Sequence, residues 1–406
     1  MITLKKMLAM VVAAGALLAF ALPALAGPVI TFGDFDEGKL RIDYKGQFQF
    51  LTRDTGSGPN SDGDTSEFNF RRNRIALVGA WGDNLGLYVQ TEYREDNNIG
   101  PIAVSDGGNS DFQLIDAQLR LKVNPMLQFR IGKFKYNLTR ENLEGCYAPL
   151  TLDRSLFIRA SLAGDGTRDK GVAMFGNLFD GRFMYRADVM NGRNDSVSAP
   201  DSNFRFSVRG HISLGDSETS YGYKGTYLGA KKVVTVGAAY QTEADVAYAD
   251  VANQAEAVDY KAWTVDLFAE YPWQDVGTFT LGAAYVDYDL DDAYKGADPD
   301  PEVINLNGQK NGGYVKVGYL FPNMPLQLFA RGENWSFARL NNVFDQEINF
   351  YAGGFNYYFK DGDLFAGADL KLTMEYSVTD FDQEGTFLGQ TTEDFNTLVA
   401  QIQLMF

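Results

Sequence analysis

The feature that most constrains this chain is an alternation of apolar and polar side chains with a period of two residues, which recurs from about residue 38 to the C-terminus. Between residues 40 and 50, Leu, Ile, Tyr, Gly and two Phe occupy the even positions, whereas Arg, Asp, Lys and two Gln occupy the odd ones. Successive side chains of a β-strand point to opposite faces. The pattern therefore predicts strands with one apolar face and one hydrated face.

Segments of this kind recur sixteen times, and long and short connections alternate between them. The segments begin near residues 39, 68, 85, 112, 127, 170, 182, 204, 232, 260, 277, 313, 326, 348, 364 and 396. Short turns lie near 82–84, 124–126, 179–181 and 360–363. Long polar loops lie near 53–66, 95–110, 137–168, 191–203, 243–258, 289–311, 336–347 and 378–395. Residues 216–231 should form a short turn but are too long, which leaves the count open by one hairpin.

An even number of amphipathic strands joined in this way is typical of bacterial outer-membrane barrels. Lipid offers no hydrogen-bond partners, so every backbone group must be paired and no sheet edge can remain. A soluble sandwich also alternates, but it buries its apolar face in a shared core. We therefore predict an all-β fold: a sixteen-stranded transmembrane antiparallel β-barrel with short periplasmic turns and long extracellular loops, in one domain over residues 27–406.

Both ends of the chain carry export and assembly signals. Residues 1–26 combine Lys5 and Lys6, an uncharged apolar run and a small-x-small ending at Ala26, which predicts a signal peptide. The last segment places Leu398, Ile402 and Phe406 on one face, and a final strand that ends in Phe resembles the signal read by the barrel assembly machinery. The predicted location is the Gram-negative outer membrane, as an integral protein in contact with lipid and lipopolysaccharide.

Composition excludes several classes of protein. The formal net charge is −17, which disfavours binding to nucleic acid. The chain has one Cys, Cys146, and one His, His211, so that a disulfide framework, a thiolate metal cluster and Ser/His catalysis are all disfavoured. No Cys-x-x-Cys-His motif for haem is present. We predict neither an enzyme nor a cofactor.

The polar faces of the strands carry many full charges, and the predicted lumen wall is net basic although the whole chain is acidic. By alternation, the lumen-facing cations are Arg41, Lys45, Arg72, Arg74, Arg94, Arg120, Lys122, Arg130, Arg186, Arg205, Arg209, Lys316, Arg331 and Lys371. The lumen-facing acids are Asp43, Glu92, Asp116, Asp188, Asp266, Glu270, Glu333, Asp369 and Glu375. Most of these cations precede residue 210, so the basic stripe belongs to the first eight strands.

Several short runs resemble the phosphate-selective porin O and P family. They are Phe70-Arg71-Arg72-Asn73-Arg74, Arg130-Ile131-Gly132-Lys133-Phe134-Lys135, Arg168-Asp169-Lys170-Gly171-Val172, Gly318-Tyr319-Leu320-Phe321-Pro322 and Gly354-Phe355-Asn356-Tyr357-Tyr358. Together they span most of the chain in order. The resemblance implies a trimeric channel whose third long loop, here residues 137–168, folds inward to narrow the pore. It also implies an anion path lined by basic side chains.

Arginine suits an anion path because its planar fork donates two hydrogen bonds and stays charged. We predict Arg72, Arg74 and Arg130 near the constriction, with Arg71 as the alternative to Arg72 because residues 68–80 alternate poorly. Within loop 137–168 the candidates are Arg154 and Arg159; the alternative is an extracellular loop held by internal ion pairs. Lys133 and Lys135 are candidates for the mouth, although Lys133 shares the parity of lipid-facing Ile131. The remaining pore-lining candidates are Arg120, Lys122, Arg205 and Arg209.

The expected function is passive diffusion of small hydrophilic solutes with a preference for small inorganic anions such as phosphate. The expected partners are a second and third copy of the chain, lipid, lipopolysaccharide and the assembly machinery. Two alternatives keep the barrel. One is a nonselective or cation-preferring porin, which the acidic outer loops favour. The other is a sheath around a periplasmic multihaem cytochrome.

Overall fold

The computed structural model describes residues 28–406, apart from 34–36, 59–61, 94–111, 156, 163–165, 194–197, 292, 294–295, 299, 301–302, 304–307, 338–345, 360–368, 384 and 388–389. The strands are β1 (Val29–Phe32), β2 (Gly38–Ser57), β3 (Gly63–Trp81), β4 (Leu85–Tyr93), β5 (Phe112–Asn124), β6 (Leu127–Lys135), β7 (Arg168–Leu178), β8 (Phe183–Met190), β9 (Arg205–Gly215), β10 (Val233–Asp250), β11 (Ala255–Trp273), β12 (Gly277–Asp289), β13 (Lys310–Leu320), β14 (Leu326–Phe337), β15 (Glu347–Phe359), β16 (Asp369–Phe381), β17 (Gly385–Phe387), β18 (Gln390–Thr392) and β19 (Phe395–Met405). One helical turn, α1, spans Arg140–Leu143.

Sixteen of these strands form one closed antiparallel barrel, as the alternation predicts. Each strand from β2 to β15 pairs with the next one along the chain, β16 pairs with β19, and β19 pairs with β2 to close the circle. The short strand β1 adds to β2, and β17 with β18 forms a separate hairpin. The predicted fold class and strand count are therefore confirmed.

Strand β9 shows how the alternation gives the barrel a polar inner face and an apolar outer face. Its odd-numbered residues Arg205, Ser207, Arg209, His211 and Ser213 are all buried inside, whereas Phe206, Val208, Ile212 and Leu214 are more than half exposed on the outside. In a membrane barrel the outer face meets lipid, so exposed apolar side chains are expected there. No helix among the described residues is long and apolar enough to cross a bilayer.

Some predicted boundaries are wrong. The predicted loop 243–258 is mostly strand, because β10 continues to Asp250 and β11 begins at Ala255. Residues 216–231 contain no extra hairpin, so the count of sixteen stands. The predicted signal peptide 1–26, the lumen candidate Arg94, the loop 95–110 and the turn 360–363 lie outside the described residues.

The interior of the barrel is partly filled by the described residues of the segment between β6 and β7, 136–155, 157–162 and 166–167, which we call the inward loop. Its buried side chains Leu138, Leu143 and Phe157 join one apolar cluster that includes wall residues of β11, β12 and β14. The Phe157 ring lies 5.4 Å from the ring of Trp335, which is fully buried on β14. This packing inside the barrel determines where open space remains.

Candidate functional site

The inward loop is held to one side of the wall by buried ion pairs. Lys316 on β13 and Arg331 on β14 are direct cross-strand neighbours, and two like charges in that position repel. Glu141 of the loop lies between them, with Oε1 2.9 Å from Lys316 Nζ and 2.8 Å from Arg331 Nη1. Burial by itself would raise the pKa of Glu141, but Arg331 and Lys316 outweigh it and lower that pKa to about 2. The charge of this cation pair is thus largely offset within the protein.

A second anchor joins the loop to β3 through Asp153. The β2–β3 register shifts between Gln47 and Phe48, and this irregularity brings Arg71 and Arg72 to the same carboxylate. Asp153 Oδ2 lies 3.0 Å from Arg71 Nη2 and 2.7 Å from Arg72 Nη2. Burial raises the pKa of Asp153, yet the two arginines dominate and hold it well below its usual range. The two residues are therefore not alternatives, because both contact the loop.

Uncharged amides provide a third set of contacts. Gln47 on β2, Gln403 on β19 and Asn356 on β15 donate to the backbone carbonyl oxygens of Cys146, Tyr147 and Leu150, at 3.2, 2.9 and 2.8 Å. These bonds satisfy loop carbonyls that would otherwise be buried without a partner. The loop is thus also anchored to β2, β15 and β19, and the lumen stays open toward β3 to β7.

The lumen contains a cavity of about 810 Å³ with a strongly basic lining. Its cations are Lys45, Arg74, Arg120, Arg130, Lys135, Arg168, Lys224 and Lys231, whereas its acids are Asp116 and Glu218. Cys146 and Tyr147 of the inward loop form part of the opposite side. A net positive, confined space concentrates anions.

Within this cavity, Arg120 on β5 and Arg130 on β6 are direct cross-strand neighbours. Among the described residues no carboxylate forms an ion pair with either, in contrast to the pair on β13 and β14. Instead the Arg120 guanidinium lies 4.6 Å from the ring centroid of Tyr88, and that of Arg130 lies 3.7 Å from the ring centroid of Tyr221. The Nε atom of each arginine is buried without a hydrogen-bond partner. This pair has charge and donors available for a small anion.

Other predicted cations are already neutralised by neighbours. Arg74 pairs with Glu92, and Arg205 lies 2.5 Å from Glu243. Arg209 lies 2.7 Å from Asp266 and also donates to the Leu138 carbonyl. Arg74 still borders the cavity, but Arg205 and Arg209 do not. The predicted parity of Arg205 and Arg209 is correct, but their charges are neutralised by Glu243 of β10 and Asp266 of β11.

The remaining candidates divide between the cavity and other locations. Lys135 lines the cavity and donates to the Glu144 carbonyl at 2.6 Å. Arg154 donates to the Asn142 carbonyl within the loop, and Arg159 lies against Gly166.

Lys133 and Lys122 do not line the cavity. Lys133 shares the outer face with exposed Ile131 and donates to the Leu114 carbonyl, so its proposed place in the pore is wrong because the alternation of β6 turns it outward. Lys122 keeps the parity of Arg120 but is exposed near the end of β5. Distance along the strand separates it from the cavity.

Sequence reasoning missed the cavity residues that come from the connection between β9 and β10. Tyr221, Tyr223, Lys224 and Lys231 all lie in residues 216–232, and Tyr221 contacts Arg130. The signal was present, because this connection is too long for a periplasmic turn. His211 accepts or donates a hydrogen bond at 2.7 Å to the Tyr223 hydroxyl. Among the described residues, no group of three or more His, Cys, Asp or Glu side chains is placed to hold a metal ion.

The last residue completes the barrel seam. Phe406 exchanges two backbone hydrogen bonds with Tyr44, at 2.8 and 3.1 Å, and their rings lie 5.3 Å apart. These contacts extend the β19–β2 pairing to the end of the chain. Phe406 is thus part of the closed sheet as well as a predicted assembly signal.

Comparisons with known proteins agree with this architecture. The profile of the family described as "Phosphate-selective porin O and P" matches residues 42–406. No curated protein matches the chain.

Solved structures share the fold at low sequence identity. An anion-selective porin from Comamonas acidovorans has a TM-score of 0.56 at 11% identity, over 91% of this chain and 100% of that one. The outer-membrane protein OmpT of Vibrio cholerae, in its trimer form, has a TM-score of 0.52 at 15% identity, over 90% and 99%. The outer-membrane channel DcaP of Acinetobacter baumannii has a TM-score of 0.54 at 15% identity, over 93% and 99%.

Proposed function

Because the chain belongs to the phosphate-selective porin O and P family, we propose that it is a passive outer-membrane channel that conducts small hydrophilic solutes and prefers small inorganic anions, phosphate included. Family and fold are those of a channel rather than an enzyme. The observation that carries the anion preference is the Arg120–Arg130 pair, which lines the cavity and forms no ion pair with a carboxylate among the described residues.

The mechanism follows from how an anion loses water. An ion entering the cavity exchanges part of its hydration shell for guanidinium and ammonium donors, and an Arg fork matches two oxygens of an oxyanion. The stacked rings of Tyr88 and Tyr221 limit the motion of Arg120 and Arg130 without neutralising them. Lys45, Arg74 and Lys135 border the same cavity and provide neighbouring, weaker sites. Conduction requires such weak repeated sites, since one deep site would retain the ion.

The reversal potential across a planar bilayer in a KCl gradient tests this proposal. In an anion-preferring channel the reversal potential shifts toward the equilibrium potential of chloride, whereas in a cation-preferring channel it shifts toward that of potassium. Inorganic phosphate added to the bath should then reduce the chloride current by occupying the basic cavity. A potassium-selective sign would refute the proposed preference.

A cation-preferring porin is the second candidate, because the whole chain carries a net charge of −17. Negative charge around the mouths attracts cations within a Debye length of about 8 Å. The same bilayer measurement decides between the two. A sheath for a cytochrome is less compatible with the barrel, since the inward loop packs against several sides of the lumen.

The assembled state is also a proposal. We propose removal of residues 1–26 on export, recognition of the Phe406 end by the barrel assembly machinery, and a homotrimer in contact with lipid and lipopolysaccharide. The trimer form of the similar Vibrio cholerae protein supports self-association. Mass measurement of the mature protein in native detergent complexes tests both the cleavage site and the number of subunits.

A further inference from the structure

We propose that the connection between β9 and β10, residues 216–232, is the second half of the constriction and that its Lys224 and Lys231 set anion selectivity on the periplasmic side. We call this segment the inward turn. It joins strands at the end of the barrel where the short turns lie, which is the periplasmic end in outer-membrane barrels. The inference rests on the proposed anion channel and adds the specificity-determining residues of its exit.

The inward turn pairs with the inward loop inside the barrel. Glu144 and Tyr223 form a parallel β-bridge, and Gly145 N donates to the Tyr223 carbonyl at 3.0 Å. Gly225 N donates to the Ala148 carbonyl at 2.8 Å. A Cβ on Gly225 would approach the Leu150 nitrogen to 2.6 Å, so only glycine permits this contact. The two segments enter from opposite ends and meet as one unit.

A buried ion pair locks the two segments together. Arg140 of the loop forms a bidentate contact with Glu218 of the turn, with both N–O distances at 2.8 Å and both side chains about 1% exposed. Glu218 also accepts from the Tyr227 hydroxyl at 2.5 Å and from Thr235 Oγ1 at 2.7 Å. Four hydrogen bonds thus fix one carboxylate, and with it the course of the turn. Glu218 is a positioning residue.

The turn brings its own side chains to the anion path. Tyr221 covers the Arg130 guanidinium at 3.7 Å. Lys231 and Lys224 line the cavity, with Nζ atoms 4.8 and 5.9 Å from the ring centroid of Tyr227. The ring that anchors Glu218 therefore also lies beside both lysines. An anion that leaves the arginine pair toward the periplasm passes these two charges.

Because these two lysines lie at one end of the channel, their effect on ion selectivity should depend on the direction of the salt gradient. Salt screens charges only on the side where it is concentrated, because the Debye length falls from about 30 Å at 0.01 M to about 3 Å at 1 M. If Lys224 and Lys231 act at the periplasmic exit, their effect is greatest when the dilute solution is on that side. The arginine pair lies deeper and responds less to the direction of the gradient.

The test is the chloride-to-potassium permeability ratio of the full-length channel, measured with the KCl gradient applied in each direction. The double variant K224Q/K231Q should lower this ratio about two-fold or more, with the larger loss when the periplasmic side is dilute. The matched control is Lys232→Gln. Lys232 belongs to the same turn but is exposed and lies 4.3 Å from the outward ring of Tyr271, away from the cavity.

Three results overturn the inference: a double variant with the ratio of wild type, one equal to the K232Q control, or one with the same loss in both directions. A wild-type channel that prefers potassium instead refutes the proposed function itself, so the two failures are distinguishable. Heat-modifiable migration of each variant in gels verifies that its barrel has folded.

The lock is tested separately with Glu218→Gln and, because that change leaves Arg140 buried without its anion, also with the milder Tyr227→Phe. Both keep every lysine. Y227F, which changes no charge, should lower the permeability ratio in the same direction as the double lysine variant, and both variants should show larger fluctuations of the open current. If Y227F and any folded E218Q channel match wild type in ratio and current noise, the positioning role of Glu218 is refuted.

Discussion

Replacement of Arg130 by Gln is the sharpest test of how this channel favours anions. The change removes one guanidinium of the Arg120–Arg130 pair but keeps a polar side chain that can still reach Gln118, the present partner of Arg130 at 2.8 Å. No ion pair among the described residues is broken, so we expect the barrel to fold. The loss should be confined to the binding of anions.

The expected loss of phosphate affinity can be calculated from the hydrogen-bond donors that the substitution removes. A hydrogen bond between charged groups contributes about 1.5–3 kcal/mol. At about 1.4 kcal/mol per factor of ten, losing one guanidinium weakens phosphate binding about 10- to 100-fold. Arg120 remains, so block by phosphate persists at higher concentration. Arg130→Lys keeps the charge but loses the fork and the stacking on Tyr221, and should give an intermediate effect.

The assay is the concentration of inorganic phosphate that halves the single-channel chloride current. Lys133→Gln is the matched control, because Lys133 lies on the same strand but points outward and bonds the Leu114 carbonyl. We expect K133Q to behave as wild type. The reasoning is refuted if R130Q is blocked as readily as wild type, or if K133Q weakens block as much as R130Q does.

Three other outcomes test the remaining assignments. The double variant R205Q/E243Q should keep the wild-type permeability ratio in the bilayer, since these two charges neutralise each other at 2.5 Å; a ratio as low as that of R130Q contradicts this. Asp153→Asn should lower the free energy of unfolding by about 2–3 kcal/mol. Because Arg72 holds the pKa of Asp153 low in the folded state, that difference should be complete above pH about 4 and decline only as pH falls further; thermal unfolding that shows it already lost at pH about 5 contradicts the pairing. Phe406→Ala should reduce the amount of heat-modifiable barrel in the outer-membrane fraction, and unchanged recovery would refute a role for the terminal ring.

The barrel was predictable because lipid imposes one rule on every strand. Alternation is local, so each segment reports its own faces without knowledge of its neighbours. Prediction from alternation failed where the strand register is irregular. The shift near Gln47 brings both Arg71 and Arg72 to Asp153, whereas strict alternation would place only one of them inside the barrel. Alternation also underestimated the lengths of β10 and β11, because it weakens near the register shift between Glu243 and Ala247.

The site was predictable only in part, because charge neutralisation depends on residues far apart in the sequence. Arg120 and Arg209 have the same parity, yet Arg209 forms an ion pair with Asp266, whereas Arg120 forms none among the described residues and lies against the ring of Tyr88. Glu141 and Arg331 are 190 residues apart, and the local sequence around either residue does not predict their contact. The sequence showed that the inward turn is too long for a periplasmic turn. It did not show that the segment folds into the barrel, because this depends on the contact of Glu218 with Arg140, which lies 78 residues away.

The most direct test of the central claim is a crystal structure of the channel soaked in bromide, with the anion located by its anomalous scattering. We predict a bromide peak within hydrogen-bond distance of the Arg120 and Arg130 guanidiniums, inside the cavity. Bromide found only at outward side chains such as Lys133, with the arginine pair unoccupied, would contradict it.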